Sequence, residues 1–201
     1  MRKLLPLLFL LAVGCASRGG WTSAERAIIG QPDSVMHVYT MPKDSAVLRA
    51  VSTDLDKRSL ASPELQTLLA KMLRTVTDPS QDGVGIAAPQ VGLNRRIVCV
   101  LRYDKPGEPF ESFVNIHIDS LIGPTACGPE GCLSLPGLRG IVPRHRAVQI
   151  SYLTPAGEPV TERVEGYTAI IFQHECDHLD GVLYTDRADS VWTVDNYTPA
   201  N

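Results

Sequence analysis

The chain has 201 residues, of which 44% are hydrophobic, and its formal net charge at pH 7 is −3. This size and composition are sufficient for one well-buried domain. The acidic balance argues against nucleic acid as a partner, because binding to a phosphate backbone relies on clustered Lys and Arg side chains. Five cysteines in a chain of this length do not indicate a disulfide framework.

The first 14 residues have the pattern of an export signal. A basic pair at residues 2–3 precedes an apolar run, residues 4–13, which is too short to span a bilayer as a helix. The run ends in a Gly-Cys pair that resembles a bacterial lipoprotein cleavage box. We therefore expect residues 1–14 to be removed and Cys15 to carry lipid, which would anchor the protein to a membrane of the cell envelope.

Residues 15–35 contain several Gly, Ser and Pro residues, and we expect them to tether the anchor to the folded domain. Trp21 and residues 24–29 have the composition of a short helix, and the sequence leaves open whether this piece packs on the domain. Two alternatives remain. Residues 1–14 would otherwise be a first apolar element of the domain, and a translation start at Met36 would give a cytoplasmic protein.

A helix is predicted after Ser62, because Ser62, Pro63 and Glu64 are suited to an N-cap, a first-turn proline and an early acid. Apolar residues then recur at helical spacing and form a single stripe. The stripe consists of Leu65, Leu68, Leu69, Met72, Leu73 and Val76. We expect this stripe to belong to the hydrophobic core.

A glycine-containing motif, Gly-Val-Gly-Ile-Ala-Ala-Pro-Gln, occupies residues 83–90. Gly83 and Gly85 have no Cβ, so the backbone here can approach a ligand closely. A phosphate-binding loop is the alternative, but no Lys-Ser/Thr pair follows the glycines. Gln90 on its own would be an ordinary polar loop residue.

Several later segments have the composition or the alternation of strands. They are residues 96–101, 110–118, 148–152, 160–164 and a short closing strand at 182–184. His117 and His145 lie among these segments without a partner at metal-binding spacing, so we expect them to be strand or surface residues. Strands in front of a buried helix predict an α+β fold, with small mixed sheets packed around that central helix.

The central helix is expected to begin at residues 166–168 and to end by Gly181. It contains the sequence His-Glu-x-x-His. His174 and His178 are four residues apart, so in a helix both imidazoles leave the same face and can bind one metal ion. Glu175 lies on the adjoining face, where it can accept the proton of a metal-bound water. The alternative is a chance pair of histidines on a helix surface.

A catalytic zinc-type site usually has three protein ligands. No histidine follows the helix motif, so the candidate third ligand is Cys132, which lies in a Glu-Gly-Cys-Leu-Ser segment. Cys99 and Cys176 are expected to be small core residues. Cys127 is five residues before Cys132, and in an oxidising envelope these two thiols would be able to pair if the metal were lost.

Taken together, the motifs at residues 83–90, 130–134 and 174–178 occur in the order and spacing of the peptide deformylases, and this chain resembles that family. The resemblance implies a hydrolase that removes the formyl group from N-formyl-methionyl peptides or nascent proteins and releases formate. We assign the catalytic domain to residues 36–188 and a loosely held tail to residues 189–201.

The resemblance also implies roles for individual residues. One divalent ion, Fe²⁺ in most of the family with Zn²⁺ or Ni²⁺ also possible, would be bound by Cys132, His174 and His178. Glu175 would be the general acid and base. The oxygen of the formyl group would face the side chain of Gln90 and the backbone N–H of Leu133. The methionine pocket would be lined by Gly83, Val84, Gly85, Ile170 and Ile171.

Two other functions share the same motif. A lipid-anchored metallopeptidase would cut internal peptide bonds, but a cysteine as third ligand argues against it. A deformylase-like domain that only binds formylated peptides is disfavoured because the expected catalytic positions are all present. An export signal is the main departure from the family, since formylated chains are made in the cytoplasm.

Overall fold

The structure is a computed structural model that describes residues 19–81 and 83–194. The predicted export signal and the lipid site at Cys15 lie outside these residues. Within the described part of the chain, no helix has the length and apolar character needed to cross a membrane.

Five α-helices and six strands make up the described fold. The helices are α1 (Ser23–Ile29), α2 (Ser45–Leu48), α3 (Lys57–Leu60), α4 (Pro63–Val76) and α5 (Gly166–Leu179). The strands are β1 (Gly85–Ala87), β2 (Ile97–Leu101), β3 (Phe110–Glu130), β4 (Leu138–Leu153), β5 (Pro159–Glu165) and β6 (Ser190–Thr193). Short 3₁₀ helices occur at Ala88–Val91 and Tyr184–Asp186.

The predicted α+β fold is confirmed, and its strands form one antiparallel sheet instead of several small mixed sheets. The strand order is β1-β2-β3-β4-β5, and β6 also pairs with β4. The pairing of β3 with β4 contains three register shifts, which are irregularities of the kind that bend and twist a sheet. Because β3 and β4 are joined by residues 131–137, the end of this long hairpin carries the predicted Cys132.

Both faces of β2 are buried, and its side chains alternate between two hydrophobic clusters. Ile97 and Cys99 belong to the cluster that contains α4, whereas Val98 and Val100 belong to the cluster that contains α5. This alternation follows from the two-residue period of a strand. The sheet therefore lies between α4 on one face and α5 on the other.

Helix α4 begins after Ser62, as predicted, and five of its six stripe residues are buried. Leu73 is the exception, with 36% of its surface exposed.

The short helix that the sequence indicates before residue 36 is packed on the domain, a point that the sequence left open. Trp21 and Ile29 are buried in the cluster that contains α4, and the Trp21 indole N–H donates to Ser62 Oγ at 2.9 Å. Glu25 forms an ion pair with buried Arg95 at 2.6 Å. Two apolar side chains and a buried ion pair thus hold α1 on the domain, although the surrounding sequence is rich in Gly and Ser.

The C-terminal part also differs from its prediction in two places. Tyr184 begins a 3₁₀ helix and is not part of a closing strand, because the Asp186 carboxylate accepts a hydrogen bond from the Leu183 N–H and closes a tight turn. Residues 190–193, predicted to be a loose tail, form strand β6 along the edge of β4.

Candidate metal centre

Helix α5 carries the His-Glu-x-x-His sequence within the protein interior. It begins directly after β5, where Gly166 has a φ of 70° that a glycine adopts without strain. Only 8% of the His174 surface and 1% of the His178 surface are exposed to solvent. Polar side chains buried to this degree require partners, and the chain supplies them from the β3–β4 hairpin.

The turn between β3 and β4 brings Cys132 to the two histidines. The ligand atoms of Cys132, His174 and His178 all lie within 4.8 Å of one another, and Cys132 Sγ is 3.1 Å from His178 Nε2. Ser134 N–H also points to Cys132 Sγ at 3.4 Å. Within residues 19–81 and 83–194, these three residues are the group of His, Cys, Asp or Glu side chains whose ligand atoms are close enough to hold a metal ion.

The three donors fit one divalent ion. Ligand atoms at roughly 2.0 to 2.3 Å from a tetrahedral ion are about 3.5 Å apart, which is close to the spacing found here. His174 Nδ1 is engaged by Glu130 Oε2 at 2.8 Å, so its Nε2 is left to face the ion. A carboxylate behind a ligating imidazole is the usual support for such a ligand.

Neighbouring charges prepare Cys132 for metal binding. Burial opposes ionisation of this thiol, but His178 and His174 outweigh that effect and hold the pKa of Cys132 at about 5. The thiolate, which is the ligating form, therefore predominates at neutral pH. In contrast, burial raises the pKa of Glu175 to about 7, against the opposing influence of His174 and His178.

A network of buried charges supports His174. Arg144 donates to Glu130 at 2.8 Å and to Asp177 at 2.6 Å, and Asp177 also accepts from Arg187 at 2.7 Å. Although burial opposes ionisation, hydrogen bonds from His174 and Arg144 keep the pKa of Glu130 at about 2. No role was predicted from the sequence for Glu130, Arg144 or Asp177. Glu130 and Asp177 lie inside the sequence motifs, but the residues that they bind, His174 and Arg144, are distant from them in sequence.

Gln90 reaches the centre from the 3₁₀ helix after β1. Its Oε1 accepts a hydrogen bond from the Ala87 N–H at 2.8 Å, which fixes the orientation of the amide. Its Nε2 consequently points toward Cys132 Sγ at 3.5 Å and Ser134 Oγ at 3.3 Å. The side chain is thus a positioned donor beside the cysteine, and it is 1% exposed.

Gly85 on β1 lies directly against Glu175. A Cβ added at Gly85 would be 2.5 Å from Glu175 Oε1 and 2.9 Å from Ile171 Cγ2. At Gly83 an added Cβ would be 2.9 Å from Val76 Cγ2. Both glycines therefore allow the backbone to lie close to another group, as predicted. The groups in contact are side chains of the protein and not a ligand.

One cleft of about 830 Å³ joins these elements. Of the residues predicted to bind the metal, bind the substrate or take part in catalysis, all but the buried His178 line it. The lining residues predicted from sequence are Gly83, Val84, Gly85, Gln90, Cys132, Leu133, Ile170, Ile171, His174 and Glu175. Tyr167, which no sequence motif indicated, also lines the cleft. It precedes Ile170 and Ile171 on the same helix face and is 51% exposed.

Comparison with known proteins agrees with this geometry. The family model described as polypeptide deformylase matches residues 35–193. Peptide deformylase 2 of Bordetella bronchiseptica is 43% identical over 132 residues, which cover 63% of this chain and 74% of that protein. The mitochondrial peptide deformylase of Homo sapiens is 34% identical over 189 residues, which cover 86% of this chain and 76% of that protein.

Solved structures show the same similarity. The actinonin-bound class I type b peptide deformylase from Acinetobacter baumannii superposes with a TM-score of 0.70 at 35% identity. The match covers 77% of this chain and 99% of that one. With the matched family model and the Cys132-His174-His178 cluster, these similarities lead to one conclusion: this chain belongs to the peptide deformylase family.

Proposed function

We propose that this chain is a metal-dependent amide hydrolase that removes the formyl group from N-formyl-methionyl peptides and nascent proteins. The observation that carries the proposal is the meeting of Cys132, His174 and His178 in one cleft with the buried carboxylate of Glu175. Three metal donors beside a carboxylate form a hydrolytic centre.

A divalent ion held by the three donors would supply Lewis acidity, which polarises the formyl carbonyl and lowers the pKa of the attacking water. We propose Fe²⁺, following the resemblance described above. Zn²⁺ and Ni²⁺ suit the same thiolate and imidazole donors. Metal analysis of protein purified without oxygen tests this choice, and a predominance of Zn²⁺ in such preparations would contradict it.

Glu175 is proposed to move the proton. Its Oε2 atom is buried and has no hydrogen-bond partner among the described residues, so this oxygen is available to a water molecule in the cleft. A pKa near 7 allows the carboxylate to accept a proton and then to donate it at neutral pH. Glu175 would take a proton from the attacking water and deliver it to the departing amine as the C–N bond breaks. The products are formate and a peptide with a free N-terminus.

Gln90 and Leu133 are proposed to stabilise the oxygen of the formyl group as negative charge develops on it. The Gln90 amide is held with its Nε2 toward the metal donors. The Leu133 backbone N–H donates to no group within the described residues. Two N–H donors fixed before the reaction stabilise a developing charge without reorganisation.

The methionine side chain is proposed to lie along α5 and β1. Ile170 and Ile171 precede His174 by four and three residues, so all three share one helix face. Val84, with Gly83 and Gly85, faces them across the cleft. An apolar wall next to the metal donors suits an unbranched thioether chain.

Formate release tests the proposed function. Metal-loaded protein should release formate from formyl-Met-Ala-Ser, whereas acetyl-Met-Ala-Ser and internally cleavable blocked peptides should be poor substrates. The acetyl methyl group is the control for the size of the pocket around the reacting carbon. Cleavage of internal bonds without formate release would favour the peptidase alternative.

We also propose export and lipid attachment at Cys15, on the basis of the sequence of residues 1–15. A protein that began at Met36 would lack Trp21 and Ile29, which are buried against α4. The packing of α1 therefore favours a mature chain that includes it. Mass spectrometry of the N-terminus and membrane fractionation test the proposal. Recovery of a soluble chain starting at Met36 would contradict it.

A further inference from the structure

Strand β6 pairs with the part of β4 that begins beside the cleft, where Gly137 and Arg139 line the cleft. Glu130 at the end of β3 pairs with Gly140 on β4, and Arg139 pairs with Trp192 on β6. Gly131 follows the last residue of β3 and lies against the Arg139 side chain, so Gly131, Arg139 and Trp192 form a row that begins next to the metal donor Cys132. We refer to these three residues as the rim row.

The side chains of Arg139 and Trp192 lie on the cleft side of this row. Directly opposed residues of an antiparallel pair share a face of the sheet, and adjacent residues on one strand face opposite ways. A Cβ at Gly140 would meet Tyr184 Cε2 at 3.0 Å, so Gly140 faces Tyr184 and not the cleft. Arg139 lines the cleft, and Trp192 shares its face.

The position of the Arg139 side chain leaves Trp192 accessible. A Cβ at Gly131 would overlap the guanidinium of Arg139, so this side chain lies over Gly131 and away from β6. Trp192 is 44% exposed. Gly137, which also lines the cleft, accepts a hydrogen bond from the Val194 N–H at 2.8 Å and holds the end of β6 to the cleft mouth.

We propose that Trp192 is a specificity-determining residue that contacts the side chain of the third or fourth residue of the formylated peptide. Its large apolar ring favours aromatic or aliphatic side chains there. Neighbouring strands are about 4.8 Å apart, so Trp192 is about 10 Å from Gly131 along the rim row. An extended peptide advances roughly 3.3 Å per residue, so residues beyond the second reach the ring. This inference rests on the proposed function.

The test compares formyl-Met-Ala-Gly-Ser with peptides that carry Phe at position three or four. The preference is the ratio of kcat/KM values measured within one enzyme preparation, so differences in active fraction cancel. Trp192→Ala should lower the preference for Phe by roughly threefold to tenfold, the effect of one aromatic contact. The change should appear in KM, because the contact is remote from the reacting bond.

Two variants control for structural damage. Trp192→Phe should keep most of the preference, because it retains an aromatic ring. Val191→Ala removes a side chain of similar exposure, 45%, from the opposite face of the same strand. Its preference should equal that of the wild type, and a loss in Val191→Ala as large as in Trp192→Ala would overturn the proposal.

The proposal and the proposed function fail in different ways. If all formylated peptides are hydrolysed and Trp192→Ala keeps the wild-type preference, the contact is absent and the deformylase activity stands. If no formylated peptide releases formate, the proposed function fails. In that case, Trp fluorescence during titration with unformylated Met-Ala-Phe-Ser tests the Trp192 contact independently of activity. A spectral change that disappears in Trp192→Ala supports the contact, and an unchanged spectrum overturns it.

Discussion

Gly85→Ala should reduce activity strongly although it adds one methyl group and removes no functional group. The new Cβ would lie 2.5 Å from Glu175 Oε1 and 2.9 Å from Glu175 Cδ, whereas ordinary contact starts at 3.4 Å. Relief of the closer contact therefore requires a displacement of about 0.9 Å, because repulsion rises steeply below contact distance. Ile171 Cγ2 is also 2.9 Å from the new Cβ, so the methyl group cannot shift toward Ile171 to relieve the contact with Glu175.

The expected cost can be estimated for both activity and stability. A catalytic group misplaced by about 1 Å loses about 100-fold in rate. Overpacking at a buried site costs about 1 to 3 kcal/mol of unfolding free energy. Gly85 does not have a positive φ, so alanine adds no backbone strain, and the loss arises from the contact with Glu175 and Ile171.

Formate release, metal content and thermal unfolding should be measured together for Gly85→Ala. The matched control is Gly128→Ala on β3, where an added Cβ has nothing within 4 Å. The control should stay within about 0.5 kcal/mol of wild-type stability and keep its activity. Wild-type turnover in Gly85→Ala would refute the reasoning, since it would show that Glu175 can move without consequence.

Further substitutions separate the roles of the site residues. Glu175→Gln should keep the metal but lose roughly 10²- to 10⁴-fold in formate release, because the amide cannot accept a proton; loss of metal would instead make Glu175 a ligand. Cys132→Ala should lose its bound ion, and metal analysis that finds one tightly held ion per chain would disprove the three-donor assignment. Glu130→Gln should weaken metal affinity by roughly 10- to 100-fold through loss of the carboxylate behind His174, and unchanged affinity in a competition titration with a chelator would exclude this role.

Local patterns were sufficient to predict the central helix and the placement of its two histidines on one face. The spacing of His174 and His178 is a property of one helical turn, and α5 begins at Gly166, within the predicted range. Helix α4 was equally predictable from the sequence, because its N-cap residue and its apolar stripe lie within 15 consecutive residues. In both cases, the interactions that determine the structure are close in sequence.

The length of β3 was not predictable in the same way. The apolar pattern ends near Ile118, but the strand continues to Glu130. Beyond Ile118 most side chains are partly or fully exposed, so no alternation of polar and apolar residues marks the strand. Its continuation depends on backbone hydrogen bonds to β4, and the register of that pairing shifts between Ile122 and Thr125.

Helix α1 illustrates how distant partners override local composition. The Gly and Ser content before residue 36 indicates a tether, yet Trp21 and Ile29 are buried in the core. The Trp21 indole donates to Ser62, 41 residues away in sequence. Burial of each large apolar side chain contributes roughly 1.5 to 3 kcal/mol, so Trp21 and Ile29 together with the Glu25–Arg95 ion pair help to offset the conformational entropy lost when this segment is ordered.

The structure also gives a physical reason for motif residues that are neither ligand nor base. Glu130 orients His174, and Asp177 offsets the buried charge of Arg144, which in turn holds Glu130. Removing one member of such a network leaves an uncompensated buried charge, which typically costs about 3 to 5 kcal/mol. The contribution of Glu130, two residues before Cys132, and of Asp177, one residue before His178, is therefore electrostatic. Glu130 thus fixes the orientation of His174, and Arg144 with Asp177 fixes the position of Glu130.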